Sequence, residues 1–162
     1  MNGTPEGYIQ RLVEISKKKM DCLKSILSLT RAQTEAISEE GMDGLQSLID
    51  QKQSKIDEIN GLDEEFNACF TALKQKLGVK SLDEAGTLGI KGVKELQSLV
   101  SKIMGLLKEI SEVERSNKEK ANSLLSFLGA KIREIREGRK VSSAYSPAAS
   151  LSPPSYFIDQ KK

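Results

Sequence analysis

The sequence has no proline between Glu6 and Ser146, a gap that covers most of its 162 residues. Proline breaks a helix interior because it lacks a backbone N–H and its ring clashes with the preceding turn. Across this gap, leucine and isoleucine recur at steps of three, four and seven residues, which places them on one helical face. Only 4% of the residues are aromatic, whereas sheet-based cores are rich in Val, Tyr and Phe. We therefore expect an all-α fold.

Capping residues divide the proline-free stretch into four helices. Thr4 and Pro5 suit the N-cap and the first position of a helix. Ser81 and Glu84 have the Ser-x-x-Glu spacing of a capping box, which opens a short helix. Glycines then recur every third residue up to Gly92, which predicts an irregular connector. The predicted helices cover about residues 4–38, 43–77, 81–86 and 93–137.

The last helix has the alternating three-four step of a coiled-coil seam, with Asn117 at a seam position where a polar residue commonly fixes register. Three long helices that alternate in direction would form an elongated antiparallel bundle with coiled-coil-like packing. Because the last helix is the longest, its final turns would project past the loop that joins helices one and two. The projecting apolar residues would be Leu124, Leu125, Phe127, Leu128, Ile132 and Ile135.

An uncovered apolar stripe of this kind either self-associates or accepts the helix of another protein. The sequence leaves open a third arrangement, in which helix one bends over the stripe. The seam of helix one contains Ser16, Thr30 and Thr34, where Leu would pack better. Such a seam fits a surface that exchanges partners. It fits equally well an imperfectly packed core that is formed within the chain alone.

Residues 139–162 differ from the rest of the chain, because they are rich in Ser, Pro and Ala. This composition buries too little apolar surface to offset its ordering entropy, so we expect a disordered tail after a helical bundle over residues 1–138. The tail nevertheless carries Tyr145 and the cluster Tyr156, Phe157 and Ile158. Aromatic side chains in a flexible segment suit short anchors for a partner protein.

Composition argues against an enzyme and against a metal or cofactor site. The chain has no histidine, which removes Ser-His and Cys-His catalysis and the usual zinc sites. Cys22 and Cys69 lack the spacing of a metal or redox motif. Charged residues of both signs leave a net charge of +2, so a nucleic acid is not an obvious partner. With neither a spanning apolar run nor a signal-peptide pattern, we expect a cytoplasmic protein without stable membrane insertion.

Three stretches suggest a family: LQSLIDQKQSKIDEINGLDEEF in the second helix, SNKEKANSLLSFL in the last helix and YFIDQKK at the end of the tail. Together with the order of the elements, they resemble the FlgN-type flagellar export chaperones. The resemblance implies a small, cytosolic, all-helical protein without enzymatic activity. It also implies that the protein binds the C-terminal helical segments of hook-filament junction proteins and delivers them to the flagellar type III export gate.

The same resemblance assigns roles to parts of the chain. It places docking to the export gate in the C-terminal region, through Tyr145 or Tyr156, and we add Phe157 and Ile158 as anchors. It places client binding on the last long helix. The expected client-binding residues are Leu107, Ile110, Asn117, Ala121, Leu124, Leu125, Leu128, Ile132 and Ile135.

A second interpretation is a structural coiled-coil protein, a homodimeric tether or adaptor whose last long helix pairs with its own copy. The aromatic residues of the tail favour the chaperone interpretation, because a coiled-coil spacer does not require a tail that binds a partner.

Overall fold

The computed structural model describes residues 3–138, which contain four helices and no strand. The helices are α1 (Pro5–Ala36), α2 (Met42–Leu77), α3 (Leu82–Thr87) and α4 (Val93–Gly138). The predicted all-α class, with three long helices and one short one, is confirmed. The predicted tail and its aromatic residues lie outside the described residues.

Side-chain caps fix the first residues of α1 and α3. The Thr4 hydroxyl accepts a hydrogen bond from the Gly7 amide at 3.1 Å. The Ser81 hydroxyl accepts one from the Glu84 amide at 3.2 Å, and the Glu84 carboxylate accepts one from the Lys80 amide. Each cap satisfies amide groups that have no partner inside the helix.

The long helices alternate in direction. Arg11 near the start of α1 pairs with Glu65 in the second half of α2, whereas Gln33 near the end of α1 contacts Lys52 in the first half of α2. These two helices are therefore antiparallel.

Helix α4 runs parallel to α1. Lys17 of α1 pairs with Glu95 near the start of α4 at 3.4 Å, and Arg31 near the end of α1 pairs with Glu109. The backbone of α1 lies close to both α2 and α4, which makes α1 the central helix.

The core consists of two apolar clusters along the bundle. The first contains the fully buried Leu12, Leu73 and Leu96, which bring together the start of α1, the end of α2 and the start of α4. The second lies further along the bundle and ends near Leu27 and Ile110. Burial of each such side chain contributes about 1.5–3 kcal/mol to folding.

The connector before α4 depends on glycine, as its spacing predicts. Gly89 and Gly92 have positive φ angles of 71° and 94°, which residues that carry a Cβ atom rarely adopt. A Cβ at Gly92 would lie 2.9 Å from Cγ2 of Ile9. Glycine therefore allows the connector to approach α1 closely enough for α4 to pack from its first turn.

None of the helices in the described part of the chain is long and apolar enough to cross a membrane.

Candidate functional site

Helix α4 extends beyond the turn that joins α1 and α2. Lys131 Nζ lies 3.2 Å from Glu39 Oε1, so this part of α4 passes the turn. Ala121 is the last buried residue of α4 within residues 3–138. We call residues 122–138 of α4 the overhang.

The overhang carries an apolar stripe that continues the seam of the bundle. Its residues are spaced at three and four positions along the helix, as they are in the covered part of α4. Ile135 is 46% exposed, and the other four side chains are partly exposed. The apolar stripe consists of Leu124, Leu125, Leu128, Ile132 and Ile135.

Phe127 lies beside this stripe and is 53% exposed. The Lys131 ammonium group lies 5.5 Å from the centre of the Phe127 ring, within cation–π range. The last turns of α4 therefore extend past the end of α1, as the helix lengths predict. Of the six apolar residues expected to project without cover, only Phe127 and Ile135 are exposed, and the other four are partly covered.

The other predicted client-binding residues lie elsewhere on α4. Leu107 is 42% exposed and lies outside the overhang. Ile110, Asn117 and Ala121 are buried within the bundle. The predicted residues thus divide into a partly exposed group on the overhang, one separate exposed leucine and a group that the bundle covers.

A group of buried polar residues lies where the bundle ends and the overhang begins. Asn117 Nδ2 donates a hydrogen bond to the Thr30 carbonyl at 2.9 Å, and the Thr34 hydroxyl donates one to Asn117 Oδ1. Lys120 Nζ donates a hydrogen bond to the Thr34 carbonyl. Asn117 therefore binds both the backbone and a side chain of α1, as its seam position suggested.

A buried ion pair joins α2 to α4 at the same level. Lys52 Nζ lies 2.6 Å from Glu114 Oε1, and the two side chains are only 2% and 8% exposed. Lys52 also donates a hydrogen bond to Gln33 Oε1 at 2.5 Å. Burial lowers the pKa of Lys52, while its hydrogen bond with Glu114 and the charge of that residue act in the opposite direction.

Gln33 is fully buried, and its Nε2 has no hydrogen-bond partner among the described residues. We use the name polar layer for the set formed by Thr30, Gln33, Thr34, Lys52, Glu114 and Asn117.

Sequence reasoning identified part of this layer and missed Gln33, Lys52 and Glu114. A signal for them was present in the spacing. The apolar face of α2 skips position 52 between Ile49 and Ile56, and the seam of α4 skips position 114. A charged residue at a seam position of each of two neighbouring helices is a sign of a buried ion pair.

Metal ligands and thiols are two kinds of potentially reactive group among the described residues. No group of three or more potential metal ligands occurs within residues 3–138. Burial, together with a hydrogen bond to Glu58, raises the pKa of the Cys22 thiol to about 11, and burial also raises the pKa of Cys69. Both thiols are therefore poor nucleophiles. The predicted docking residues Tyr145, Tyr156, Phe157 and Ile158 lie outside the described residues.

Comparison with known proteins identifies the family. The family model described as FlgN protein matches residues 1–153, nearly the whole chain. No curated protein and no solved structure matches it. With its helical bundle and the match along its length, the chain belongs to the FlgN family of flagellar export chaperones.

Proposed function

We propose that this chaperone binds the C-terminal helical segments of hook-filament junction proteins in the cytoplasm and delivers them to the export gate, without enzymatic activity. The observation that carries the client-binding part is the apolar stripe of the overhang, which the rest of the described chain covers only in part. The resemblance of the sequence to FlgN-type chaperones supplies the identity of the client.

The stripe suits an amphipathic helix as its partner. Its residues continue a seam that α1 and α2 cover further along α4. A client helix with apolar residues at the same spacing would cover the overhang as these helices cover the rest. The client would meanwhile keep its own assembly surface buried, which would prevent premature assembly.

The substitution Leu128→Asp tests client binding. It places a carboxylate in the middle of the stripe, where a bound client would exclude water, so the charge would be buried without a partner. We expect at least a tenfold loss of affinity for a purified junction protein, measured by isothermal titration calorimetry.

The matched control is Ser126→Asp, because Ser126 is exposed and lies away from the stripe. This control should bind the client as the wild type does, and both variants should keep their helical circular dichroism and melting temperature. A sharp drop in the melting temperature of the Leu128→Asp variant, without a specific loss of binding, would show that Leu128 belongs to the chaperone's own hydrophobic core.

The assignment of gate docking to the tail rests on the resemblance and on the aromatic residues of the sequence. Deletion of residues 142–162 should leave helicity and client binding near normal but abolish binding to the isolated gate protein. Tyr145→Ala or Tyr156→Ala should reproduce most of that loss, because an aromatic anchor supplies much of the contact area. Wild-type secretion of junction proteins by the truncated chain would contradict this role.

A further inference from the structure

The exposed stripe is short for a helix-binding surface. From Leu124 to Ile135 it spans about 17 Å of helix. The same seam continues in the other direction through Ala121, Asn117 and Glu114, but the bundle buries these residues. The way in which they are covered determines whether a client could use them.

The cover is the end of the α1–α2 hairpin. We call residues 28–55 the hairpin tip; they comprise the last turns of α1, the connecting turn and the first part of α2, up to residue 55. The structure describes every residue of the tip, yet neither apolar cluster includes any of them. The buried apolar side chains within the tip are Ile37 and Leu45, whereas Thr30, Gln33 and Lys52 are buried polar residues.

Polar contacts join the tip to α4. Asn117 and Lys120 bind backbone carbonyl groups of α1, and Glu114 binds Lys52 of α2. Water can replace such partners when the groups separate, so opening costs less here than it does at an apolar contact.

The other end of the bundle differs in this respect. Leu12, Leu73 and Leu96 are fully buried, and separating the helices there would expose them to water. The second half of α2 also contributes Ile59 and Leu62 to the apolar core. The bundle therefore has one end held by a large apolar core and one end held mainly by polar contacts, where only Ile37 and Leu45 are buried apolar side chains of the tip.

We propose that the hairpin tip lifts transiently away from α4 at the polar layer in the free chain and that a client binds the lifted state, so that the client surface runs without interruption from Glu114 to Ile135. The exposed seam then grows to about 32 Å of helix. Ile110 belongs to the second apolar cluster and stays covered. The identity of the client rests on the proposed function, but the lifting of the tip does not.

Hydrogen exchange of the free full-length chain, followed by mass spectrometry, tests the lifting directly. We expect amides of residues 47–55 to exchange at least tenfold faster than those of residues 59–75 in the same helix. Equal protection of these two parts of α2 would overturn the proposal, whatever the client.

A double variant, Lys52→Met with Glu114→Leu, distinguishes lifting from ordinary fraying of a helix end. Apolar side chains of similar volume should hold the tip against α4. Exchange of residues 47–55 should then slow to the level of residues 59–75. Unchanged exchange in a folded double variant would mean that the polar layer does not control the tip.

The same variant tests the effect on binding. The probe is a synthetic peptide with the C-terminal helical segment of a junction protein, and we expect its affinity for the double variant to fall at least tenfold. The control is Lys17→Met with Glu95→Leu, an α1–α4 pair whose side chains are 56% and 52% exposed, which should change neither exchange of the tip nor binding.

Wild-type affinity in a double variant with a protected tip would overturn the proposal. A wild-type chain that does not bind the peptide would contradict the proposed function instead, and the exchange comparison would still decide whether the tip lifts.

Discussion

At the scale of single residues, the Lys52–Glu114 pair shows how a buried contact can specify a structure without adding much stability. Each charge loses its hydration, and the attraction between the two charges only about compensates for that loss. The pair nevertheless constrains the positions of the helices, because Lys52 must reach both Gln33 of α1 and Glu114 of α4. A slip of any of the three helices along its neighbours would leave a buried charge without a partner, so the pair fixes their register.

Cys22 provides a test at this scale. Its pKa rises from 9.0 to about 11, chiefly because the thiol is buried. Since only the thiolate reacts, the reactive form at pH 8 is about a hundredfold scarcer than it is at an ordinary cysteine. We expect alkylation of native Cys22 by iodoacetamide at pH 8 to be slower than that of the urea-unfolded chain by at least this factor.

Peptide mass mapping would separate the reaction of Cys22 from that of Cys69, whose side chain is less buried. Equal rates for Cys22 in the native and unfolded chains would show that the thiol is not held in the core between α1 and α2.

The sequence predicted the stripe well because its signals are local. Leu124, Leu128 and Ile135 follow from periodicity, and their partial or full exposure follows from the length of the last helix. The burial of Ile110 and Ala121 could not be predicted in the same way. It depends on which residues of α4 lie beside the end of α1, and that alignment results from packing between residues far apart in the chain.

At the scale of the elements, the connector between α2 and α4 determines where the last helix begins. Local capping signals identified α3, and the spacing of the glycines identified an irregular stretch after it. The close contact with Ile9, which adds to the positive φ angle as a reason for glycine at position 92, could not be read from the sequence.

Replacement of Gly92 by Ala tests that contact, with Gly89→Ala as the matched control. Both glycines have positive φ angles, which cost an ordinary residue roughly 1–2 kcal/mol. A Cβ at Gly89 would meet nothing within 4 Å, whereas one at Gly92 would collide with Ile9. Urea unfolding should therefore show a larger loss of stability for Gly92→Ala than for Gly89→Ala. Equal losses would mean that the connector does not pack against α1 as described.

At the scale of the whole molecule, the apolar stripe bears on the oligomeric state. An interface between two copies requires about 800 Å² of buried surface from each partner to be stable. The stripe and Phe127 are confined to the overhang and are only partly exposed, so they offer no more than a few hundred Å². The overhang alone therefore lacks the contact area for a stable homodimer.

We accordingly expect the free chain to sediment as a monomer at micromolar concentration and to form a one-to-one complex with a client. Sedimentation velocity at several concentrations would check both states. A concentration-independent dimer that the Leu128→Asp substitution dissociates would favour the structural coiled-coil protein instead.

The length of α4 also governs how the molecule moves in solution. With 46 residues, this helix is about 69 Å long, whereas packed helices make the bundle only about 20 Å wide. A rod of these proportions rotates faster about its long axis than end over end. A client helix laid along the overhang would thicken the rod without lengthening it, so end-over-end rotation would slow less than it would if the same mass were added to the tip of the rod.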